Sequence, residues 1–431
     1  MKRYSEYKDS GVKWIGEIPG HWKKNKIMRL FTHIGSGTTP KGDQYYTDES
    51  NGIPWINSGD LNYGFLTKCN KYITEKALND ISTLKKYPIN TLMIAMYGAS
   101  IGKYAISHIE GCTNQACCAL YGIKDELNLT YASYLMGPCK QKWIEESFGG
   151  TQPNISAEKI KQTWLPLPPL PEQEAIVTYL DSKVAKIDEY ISIAEKKIAA
   201  LEELKQTIIA EAVTRGIHKD VPMKDSGVKW IGEIPGHWDL KRTAMLFSEN
   251  RKKNINYEFD HALKFNYGKL VSKNEIGDVS SLKETYMAYT IINKNDIAIN
   301  CLNLNYDFVS QRVAISPQKG IITSAYLIIT PRQGVEAMYY NYLFKAMDSK
   351  KLFHGMGTGI RLTLSFSELK KQQIPVPLLS EQQEIVTYIE EKVANINQLC
   401  QAERSQIEKL KEYKQRLISD VVTGKVKVTN D

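Results

Sequence analysis

The stretch KDSGVKWIGEIPGHW occupies residues 8–22, and the same fifteen residues return without a change at residues 224–238. An identical segment of this length with two tryptophans does not recur in one chain by chance. Repetition at a long, fixed offset indicates a duplicated architecture. The chain is therefore predicted to consist of two equivalent halves, each of which opens with the same leader.

A second repeat lies downstream of each leader. LPLPPLPEQEAIVTYLDSKV at residues 165–184 aligns without a gap with IPVPLLSEQQEIVTYIEEKV at residues 374–393. The segments between the landmarks, 23–164 and 239–373, have similar lengths but little identity. A fixed frame around a variable insert suits one architecture that performs one task twice on two different targets.

Composition places the chain among globular proteins. It has 431 residues, 42% hydrophobic and 24% charged, which is enough for two or three domains with their own cores. The net charge of +8 favours an anionic partner such as nucleic acid, although a solvated surface can carry the same excess. The opening MKRYSEYKDSG lacks the apolar core of a signal peptide, and no apolar run suggests a membrane span. We expect a cytoplasmic protein that does not contact a membrane.

Seven cysteines are scattered along the chain. Cys112, Cys117 and Cys118 lie close together, which raises the question of a metal site. Neither a C-x-x-C pair nor a histidine at zinc-finger spacing accompanies them. Reduced thiols in an apolar core are therefore expected, with no metal ligands among them.

Each second repeat continues into a helix with a heptad pattern. Apolar residues recur at alternating steps of four and three, as in the a/d seam of a coiled coil. The seam residues of the two copies are Leu180, Val184, Ile187, Ile191, Ile198 and Leu201, and Ile389, Val393, Ile396, Ile407, Leu410 and Leu417. Cys400 and Glu403 interrupt the second seam, so we expect a polar contact or a local kink there.

The two helices have similar predicted lengths and ends. Gly216 and Gly424 lie where a helix would stop, so each helix has about 43 residues and a length of roughly 65 Å. Two seams of the same length and phase favour packing as an antiparallel pair. The alternative is two unrelated amphipathic helices, each lying on its own domain. We further expect Trp14 and Trp230 to anchor the leaders to the helix pair, and His21 and His237 to serve packing.

The variable inserts indicate short strands and turns. Runs such as NTLMIAMYGASIGKYAI (90–106) and IITSAYLIITP (321–331) alternate with Gly, Pro and Asn, and helical segments follow near 131–147 and 337–350. The predicted fold is α+β: two α+β domains separated by two long antiparallel coiled-coil helices, with a pseudo-twofold repeat. The predicted segments are 1–164, 165–216, 217–373 and 374–431.

Basic and aromatic residues in the predicted loops are candidates for DNA contacts. Lysine and arginine bind phosphates, and arginine can read base edges, although for any single residue a solvated charge is the simpler explanation. The candidates are Lys24, Lys41, Tyr45, Tyr97 and Lys103 in the first insert, and Arg251, Lys252, Lys253, Arg312 and Arg361 in the second.

The sequence lacks the common catalytic motifs. It contains no N-P-P-Y-like motif of an amino-methyltransferase, no G-x-x-x-x-G-K-[ST] phosphate loop and no H-E-x-x-H motif. A non-catalytic protein is therefore expected. Two other classes stay open on the residues alone: an enzyme with cryptic motifs, and a repeat-built scaffold or RNA-binding protein that reads no DNA sequence.

The frame resembles the specificity subunit of type I restriction–modification systems. The resemblance lies in SGVKWIGEIPGHW (10–22 and 226–238), GSGTTP (35–40), PLPPLPEQEAIV (166–177) and PVPLLSEQQEIV (375–386), and it spans essentially the whole chain. It implies that each insert is a target recognition domain for one half of a split, asymmetric double-stranded DNA site, and that the helices fix the gap. It also implies two modification subunits that methylate adenine, and restriction subunits. S-adenosylmethionine, ATP and Mg would belong to those partners, with no cofactor in this chain.

Overall fold

A computed structural model of the chain describes residues 2–147, 153–273, 279–357 and 362–428. The chain divides into two compact units, residues 1–194 with 405–431, and residues 195–404. The division into four segments made from the repeats stays a prediction.

The first repeat supplies the β-strands and short helices of the first unit. Its strands are β1 (Tyr7–Asp9), β2 (Glu17–Pro19), β3 (Lys23–Lys26), β4 (Phe31–Ser36), β5 (Tyr46–Thr47), β6 (Ile53–Ile56), β7 (Phe65–Leu66), β8 (Tyr72–Ile73), β9 (Thr91–Ala95), β10 (Tyr104–Ser107), β11 (Cys112–Thr113), β12 (Cys117–Ile123) and β13 (Trp164–Leu167). Its helices are α1 (Ile27–Leu30), α2 (Glu75–Asp80), α3 (Leu129–Glu145) and α4 (Ala157–Lys161), followed by the long α5 (Leu170–Arg215).

The second repeat supplies the corresponding elements of the second unit. Its strands are β14 (Met223–Asp225), β15 (Glu233–Pro235), β16 (Asp239–Arg242), β17 (Phe247–Glu249), β18 (Leu263–Asn266), β19 (Lys269–Ser272), β20 (Thr290–Ile292), β21 (Ile297–Ile299), β22 (Val313–Ile315), β23 (Gly320–Ile322), β24 (Leu327–Pro331) and β25 (Gln373–Val376). Its helices are α6 (Thr243–Leu246), α7 (Val279–Met287), α8 (Ala337–Ser349) and α9 (Phe366–Leu369), followed by the long α10 (Leu379–Val422).

Both units contain the same sheet. The first has the order β4-β12-β9-β10-β7, and the second has the order β17-β24-β21-β22, with every pair antiparallel except β10-β7. Every residue of β9 (TLMIA) is buried. The sheet packs against α3 in the first unit and against α8 in the second. Tyr131 on α3 and Tyr340 on α8 are buried, and each donates a hydrogen bond (3.2 Å) to the carbonyl of Pro166 or Pro375 respectively. The α+β fold predicted for each insert is confirmed.

The long helices follow the predicted seam. α5 has 46 residues and α10 has 44, and every predicted seam residue is buried or half-buried. In the first unit, Asp188 on α5 pairs with Lys414 on α10 (2.6 Å). In the second, Lys197 pairs with Glu403 while Lys205 donates to Asn397 (3.3 Å), so the numbering rises along one helix as it falls along the other. The helix segments are therefore antiparallel, as predicted.

The interruption of the second seam is accommodated without a break. Cys400 is wholly buried, and Glu403 forms its ion pair with Lys197. α10 continues through both positions as one uninterrupted helix. The expected polar contact is therefore confirmed.

The cysteines lie in apolar surroundings. Each is free and buried, and burial raises the pKa of Cys112 and of Cys118 to about 12. The prediction of reduced core thiols is confirmed. Within the described residues, no helix is long and apolar enough to cross a membrane, and no group of three or more His, Cys, Asp or Glu side chains could hold a metal.

Candidate nucleic-acid interface

A clamp holds the leader to the long helix in the first unit. Glu172, in the first turn of α5, accepts a hydrogen bond from the Nε1–H of Trp22 (3.0 Å) and pairs with Nε2 of His21 (2.9 Å). Trp22 is wholly buried, and the Glu172 side chain is nearly so. The hydroxyl of Tyr4 also donates to the Glu172 carboxylate. A buried carboxylate is stable only when it is hydrogen-bonded, so the four side chains fix one another.

The second unit repeats this clamp with equivalent residues. Glu381, in the first turn of α10, accepts from the Nε1–H of Trp238 (2.9 Å) and pairs with Nε2 of His237 (2.9 Å). Trp14 and Trp230, which were expected to anchor the leaders, are half-buried and pack against the two cores, so that expectation stays a prediction, and Trp22 and Trp238 are the fully enclosed tryptophans of the leaders. The two histidines bind a carboxylate and do not merely pack.

A glutamine beside each clamp ties the helix start to the insert. Gln173 accepts the backbone N–H of Asn128 (2.8 Å), which caps α3, and donates to the carbonyl of Pro168 (2.9 Å). Gln382 accepts the N–H of Glu336, which caps α8, and donates to the carbonyl of Pro377 (2.9 Å). The sequences L-P-E-Q (170–173) and L-S-E-Q (379–382) thus encode the same joint in both units.

The ends of the long helices close the frame. α5 and α10 end one residue before Gly216 and two before Gly424, whose φ angles of +76° and +79° favour glycine, so the predicted stops are confirmed. A Cβ on Gly424 would lie 2.4 Å from Pro19 and 3.1 Å from Trp22, and a Cβ on Gly216 would lie 3.3 Å from Trp238. In each unit, the end of a long helix therefore packs against the buried tryptophan of the leader.

Most candidate residues of the first insert lie on loops at one end of the five-stranded sheet, where β9 is joined to β10. We call this end of the sheet the hairpin edge. β4 and β9 end there, opposite Cys118 and Cys117 of β12, and β10 begins there. Lys41 and Tyr45 follow β4, and Tyr97 and Lys103 lie on the hairpin that joins β9 to β10. Tyr97 and Lys103 therefore lie at this edge and Lys41 lies on the loop that leaves it, whereas Tyr45 directly precedes β5 in the other sheet.

Local contacts shape this edge. Gly37 passes so close to β11 that a Cβ would lie 1.7 Å from the carbonyl oxygen of Thr113, which explains the glycine in GSGTTP. The hydroxyl of Tyr45 donates to Asp80 (3.1 Å), which raises the pKa of Tyr45. Lys41 and Tyr97 are exposed. An aromatic ring and an ammonium group are thus available to an anionic partner.

Lys24 does not belong to this edge. It lies in β3, donates to the carbonyl of Ser10 and sits 5.0 Å from the ring centre of Trp164. Its ammonium group joins the leader to β13, which explains a lysine at this point without DNA.

The second unit has its own hairpin edge, where β17 and β21 end opposite β24 and β22 begins. Arg251, Lys252 and Lys253 follow β17 directly. Arg251 is 78% exposed and pairs with Glu249 (2.8 Å), and Lys252 is also exposed. Lys253 donates to the carbonyl of Ala288 (3.2 Å). The backbone of Lys252 and of Lys253 pairs with β20, so these cations lie beside the β20–β23 sheet.

The hairpins of the two units are equivalent. At the base of the β9–β10 hairpin, the N–H of Ala95 donates to the carbonyl of Lys103 (2.8 Å). At the base of the β21–β22 hairpin, the N–H of Asn300 donates to the carbonyl of Arg312 (2.8 Å). Lys103 and Arg312 each immediately precede the returning strand. Two candidates chosen separately from the sequence therefore occupy one structural position.

The structure corrects the prediction that Arg312 contacts DNA. Its side chain is wholly buried, and its guanidinium donates to the carbonyls of Leu302 (2.6 Å), Asp307 (2.7 Å) and Asn300 (3.1 Å). A charge enclosed in this way is committed to its own loop and cannot reach a phosphate. Arg361 lies outside the described residues.

Several exposed aromatic residues were not among the sequence candidates. Tyr63 and Phe65 are exposed near β7, and Tyr267, Tyr306 and Phe308 are exposed in the second insert. The run N-Y-D-F-V-S at residues 305–310 was the available signal, because it places large apolar side chains between turn-forming residues without strand or helix periodicity.

The fold and the repeated frame define a DNA-specificity protein. A family model described as the type I restriction modification DNA specificity domain matches residues 19–203 and 223–409, so the chain belongs to that family. It is the DNA-specificity subunit of a type I restriction–modification system, which binds DNA and assembles with other subunits of the system. Catalysis in this family belongs to those partner subunits, and this chain is not the enzyme.

Individual relatives and structures are similar over nearly the full length. The type I restriction enzyme MjaIX specificity subunit of Methanocaldococcus jannaschii is 25% identical, with 98% of this chain and 97% of the relative covered. The EcoBI specificity subunit of Escherichia coli is 21% identical over 73% of this chain and 69% of its own. The HsdS subunit from Thermoanaerobacter tengcongensis shares the fold at a TM-score of 0.51 and 14% identity, with 95% and 98% covered. A chain from a structural study of complex assembly in the type I R-M system shares the fold at a TM-score of 0.66 and 14% identity, with 94% of this chain and 98% of that chain covered.

Proposed function

We propose that this subunit recognises a split, asymmetric site on double-stranded DNA, with each insert reading one half. The observation that carries the proposal is the contrast within each unit. The clamps Trp22–Glu172 and Trp238–Glu381 are the same in both units, whereas the equivalent hairpins at residues 96–103 and 300–312 differ in length and side chains. Two different reading surfaces on one frame suit two different half-sites.

The equal frames suit two copies of one partner. We propose that two modification subunits dock on the frame and methylate adenine in the site, and that restriction subunits add cleavage. S-adenosylmethionine would bind to the modification subunits, and ATP and Mg to the restriction subunits, so this chain would need no cofactor of its own. Cellular DNA as the target would place the complex in the cytoplasm.

A map of N6-methyladenine across a genome tests the proposal. Cells would express this chain with its modification subunit, and the control cells would express the modification subunit alone. A split motif that is methylated only when this chain is present is the expected result, and it gives both half-sites at once. A soluble complex that adds no methylation would contradict the proposed role and favour a scaffold that reads no sequence.

The long helices are proposed to set the gap between the half-sites. A heptad inserted after Ala194 in α5, with a second after Arg404 in α10, keeps both seams in phase and adds about 10 Å to each helix. At 3.4 Å per base pair, the gap in the methylated motif should grow by about three base pairs. Seven residues inserted after Ile217, beyond the end of α5, provide the control and should leave the gap unchanged. An unchanged gap in the double-heptad variant would contradict the ruler.

A further inference from the structure

The β21–β22 hairpin of the second unit presents large apolar side chains to solvent. We call residues 302–310 the finger. Tyr306 is 81% exposed, Val309 is 91% exposed and Phe308 is 54% exposed. Scattered exposed apolar residues are ordinary, but three within four positions at one loop tip mark a surface that binds something.

The finger is held from below by Arg312. The planar guanidinium donates to main-chain carbonyls along the finger, including those of Leu302 (2.6 Å) and Asp307 (2.7 Å). Its backbone N–H donates to the carboxylate of Asp348 on α8 (2.8 Å). A fork of several donors fixes a loop in a way that a single ammonium cannot. Arg312 is therefore a positioning residue for the exposed tip.

The tip has its own supports. The carboxylate of Asp307 accepts the N–H groups of Val309 (3.1 Å) and Ser310 (2.9 Å), and hydrogen bonds to Ser310 lower the pKa of Asp307 to about 2. The ring of Phe308 stacks on His354 with 4.7 Å between ring centres, and His354 also donates to the carbonyl of Asp307 (3.1 Å). The one acidic group of the tip is thus used inside the loop, and the aromatic ring is braced.

A rigid apolar tip gains from insertion because little conformational entropy remains to be lost.

The surroundings of the finger favour a polyanion as the partner. Arg251 and Lys252 are exposed in the same insert, and the exposed Lys350 and the half-buried Lys351 stand just before His354. The finger also lies in the variable insert, where the units differ, whereas a partner present twice would use the shared frame. DNA satisfies both conditions.

We propose that the finger enters a DNA groove and inserts Tyr306 and Phe308 at a base step within the half-site read by the second unit. The proposal rests on the proposed function and deepens it by naming the inserting residues. Apolar side chains that wedge into a base step unstack it, and aromatic rings stack on the exposed base faces irrespective of sequence. The polar groups around the finger would then face a duplex whose bases are locally unstacked.

The test uses the full chain in complex with its modification subunit, on duplexes that carry the methylated motif. A 2-aminopurine base is placed in turn at positions in each half-site other than the methylated adenine, and its fluorescence reports loss of stacking. The wild-type complex should brighten the probe at one step of one half-site only. The variant with Tyr306→Ser and Phe308→Ser should abolish that signal and bind roughly tenfold more weakly for each ring removed.

Two controls locate the effect. Met245→Ser, which removes an equally exposed side chain from α6 of the same unit, should keep the signal and the affinity. The half-site read by the first unit should still be discriminated by the finger variant, because scrambling it should weaken binding as much as in the wild type. The substituted side chains are exposed, so the melting temperature should not change.

The outcomes separate the finger from the proposed function. Wild-type affinity and brightening in the finger variant would overturn the insertion. A finger variant that binds DNA normally but fails to assemble with the modification subunit would also overturn it, in favour of protein docking. If the wild-type complex showed no preference for its motif over a scrambled duplex, the proposed function would fail. Brightening on any duplex, and its loss in the finger variant, would then still decide the insertion.

Discussion

The β9–β10 and β21–β22 hairpins occupy the same place in their sheets, yet they are built differently. The first, residues 96–103, is short, contains Gly98 and Gly102 at positive φ, and presents Tyr97. The second, residues 300–312, is five residues longer and is organised around a buried arginine. The comparison teaches that the sheet determines where each loop stands, while the loop determines what it presents.

The clamps show the opposite behaviour. Hydrogen bonds from tryptophan to glutamate measure 3.0 Å in the first unit and 2.9 Å in the second, and both histidine contacts measure 2.9 Å. A frame that must present two different loops in the same way gains from such identity. Substitutions in the two clamps should therefore have similar effects, whereas substitutions in the two hairpins should have different effects.

The largest expected effect is the loss of a buried tryptophan. Trp22→Ala and Trp238→Ala should each lower the free energy of unfolding of their own unit by about 4 kcal/mol, because each leaves a cavity and a buried carboxylate with fewer donors. The half-buried Trp14→Ala serves as the matched control and should cost about 1 kcal/mol. Hydrogen exchange of the core amides measures each unit separately. Unequal losses at the two clamps would break the equivalence of the frames.

The hairpins should respond unequally at their equivalent position. Arg312→Ala leaves several carbonyls without a donor and should destabilise the second unit by about 3 kcal/mol. Lys103→Ala removes a half-buried lysine and should cost less than about 0.5 kcal/mol. Denaturant unfolding of both variants checks the difference. Similar costs at the two positions would mean that Arg312 does not organise the finger.

The helix ends should also differ, although less. Alanine at Gly424 or Gly216 forces a side chain into positive φ, which costs about 1 kcal/mol in each case. Gly424→Ala adds a contact of 2.4 Å with Pro19, whereas the nearest contact at Gly216 is 3.3 Å. The cost at Gly424 should therefore be larger by about 1 kcal/mol. Thermal unfolding of the two variants, compared side by side, contradicts this packing if Gly216→Ala is the worse.

The smallest effect concerns the polar contact within the helix seam. Lys197→Ala or Glu403→Ala removes an ion pair between an exposed lysine and a half-buried glutamate, so each should cost about 1 kcal/mol or less, and salt should reduce the difference from the wild type. Melting curves at low and high salt measure it. A loss of several kcal/mol would show that the pair, and not the apolar seam, holds the helices together at this point.

Local and repeated features were predictable from the sequence. Helix periodicity predicted the seam residues of α5 and of α10, because side chains three and four positions apart share a face wherever the helix lies. The glycine stops at Gly216 and Gly424 were predictable for the same reason, since they depend only on local backbone geometry. The placement of Tyr97 and Lys103 at one end of the sheet required sheet topology, which the sequence supports only through the alternation of strands and loops.

Features that depend on distant partners were missed. Nothing local distinguishes Arg312 from a surface arginine, because its buried partners are loop carbonyls and a carboxylate 36 residues away. Its equivalence to Lys103 was hidden by the difference in loop length, which shifts any alignment. Trp14 and Trp22 sit in one identical repeat, and only the position of Glu172, 150 residues away from Trp22, decides which of them is enclosed.

The composition of the first unit has a consequence for biosynthesis. Its core includes Leu417 and Val421 from the end of α10, and Tyr131 donates to the carbonyl of Val422 (3.1 Å). A ribosome makes the whole of residues 195–404 before it reaches those residues, so the first unit cannot complete its core until residues 405–431 are made. Domains that fold as the chain emerges usually do so from the N-terminus. In this subunit the N-terminal unit depends on residues that are made after the whole of the second unit, so a chain truncated at residue 404 would keep every residue of the second unit and leave the first without the end of α10.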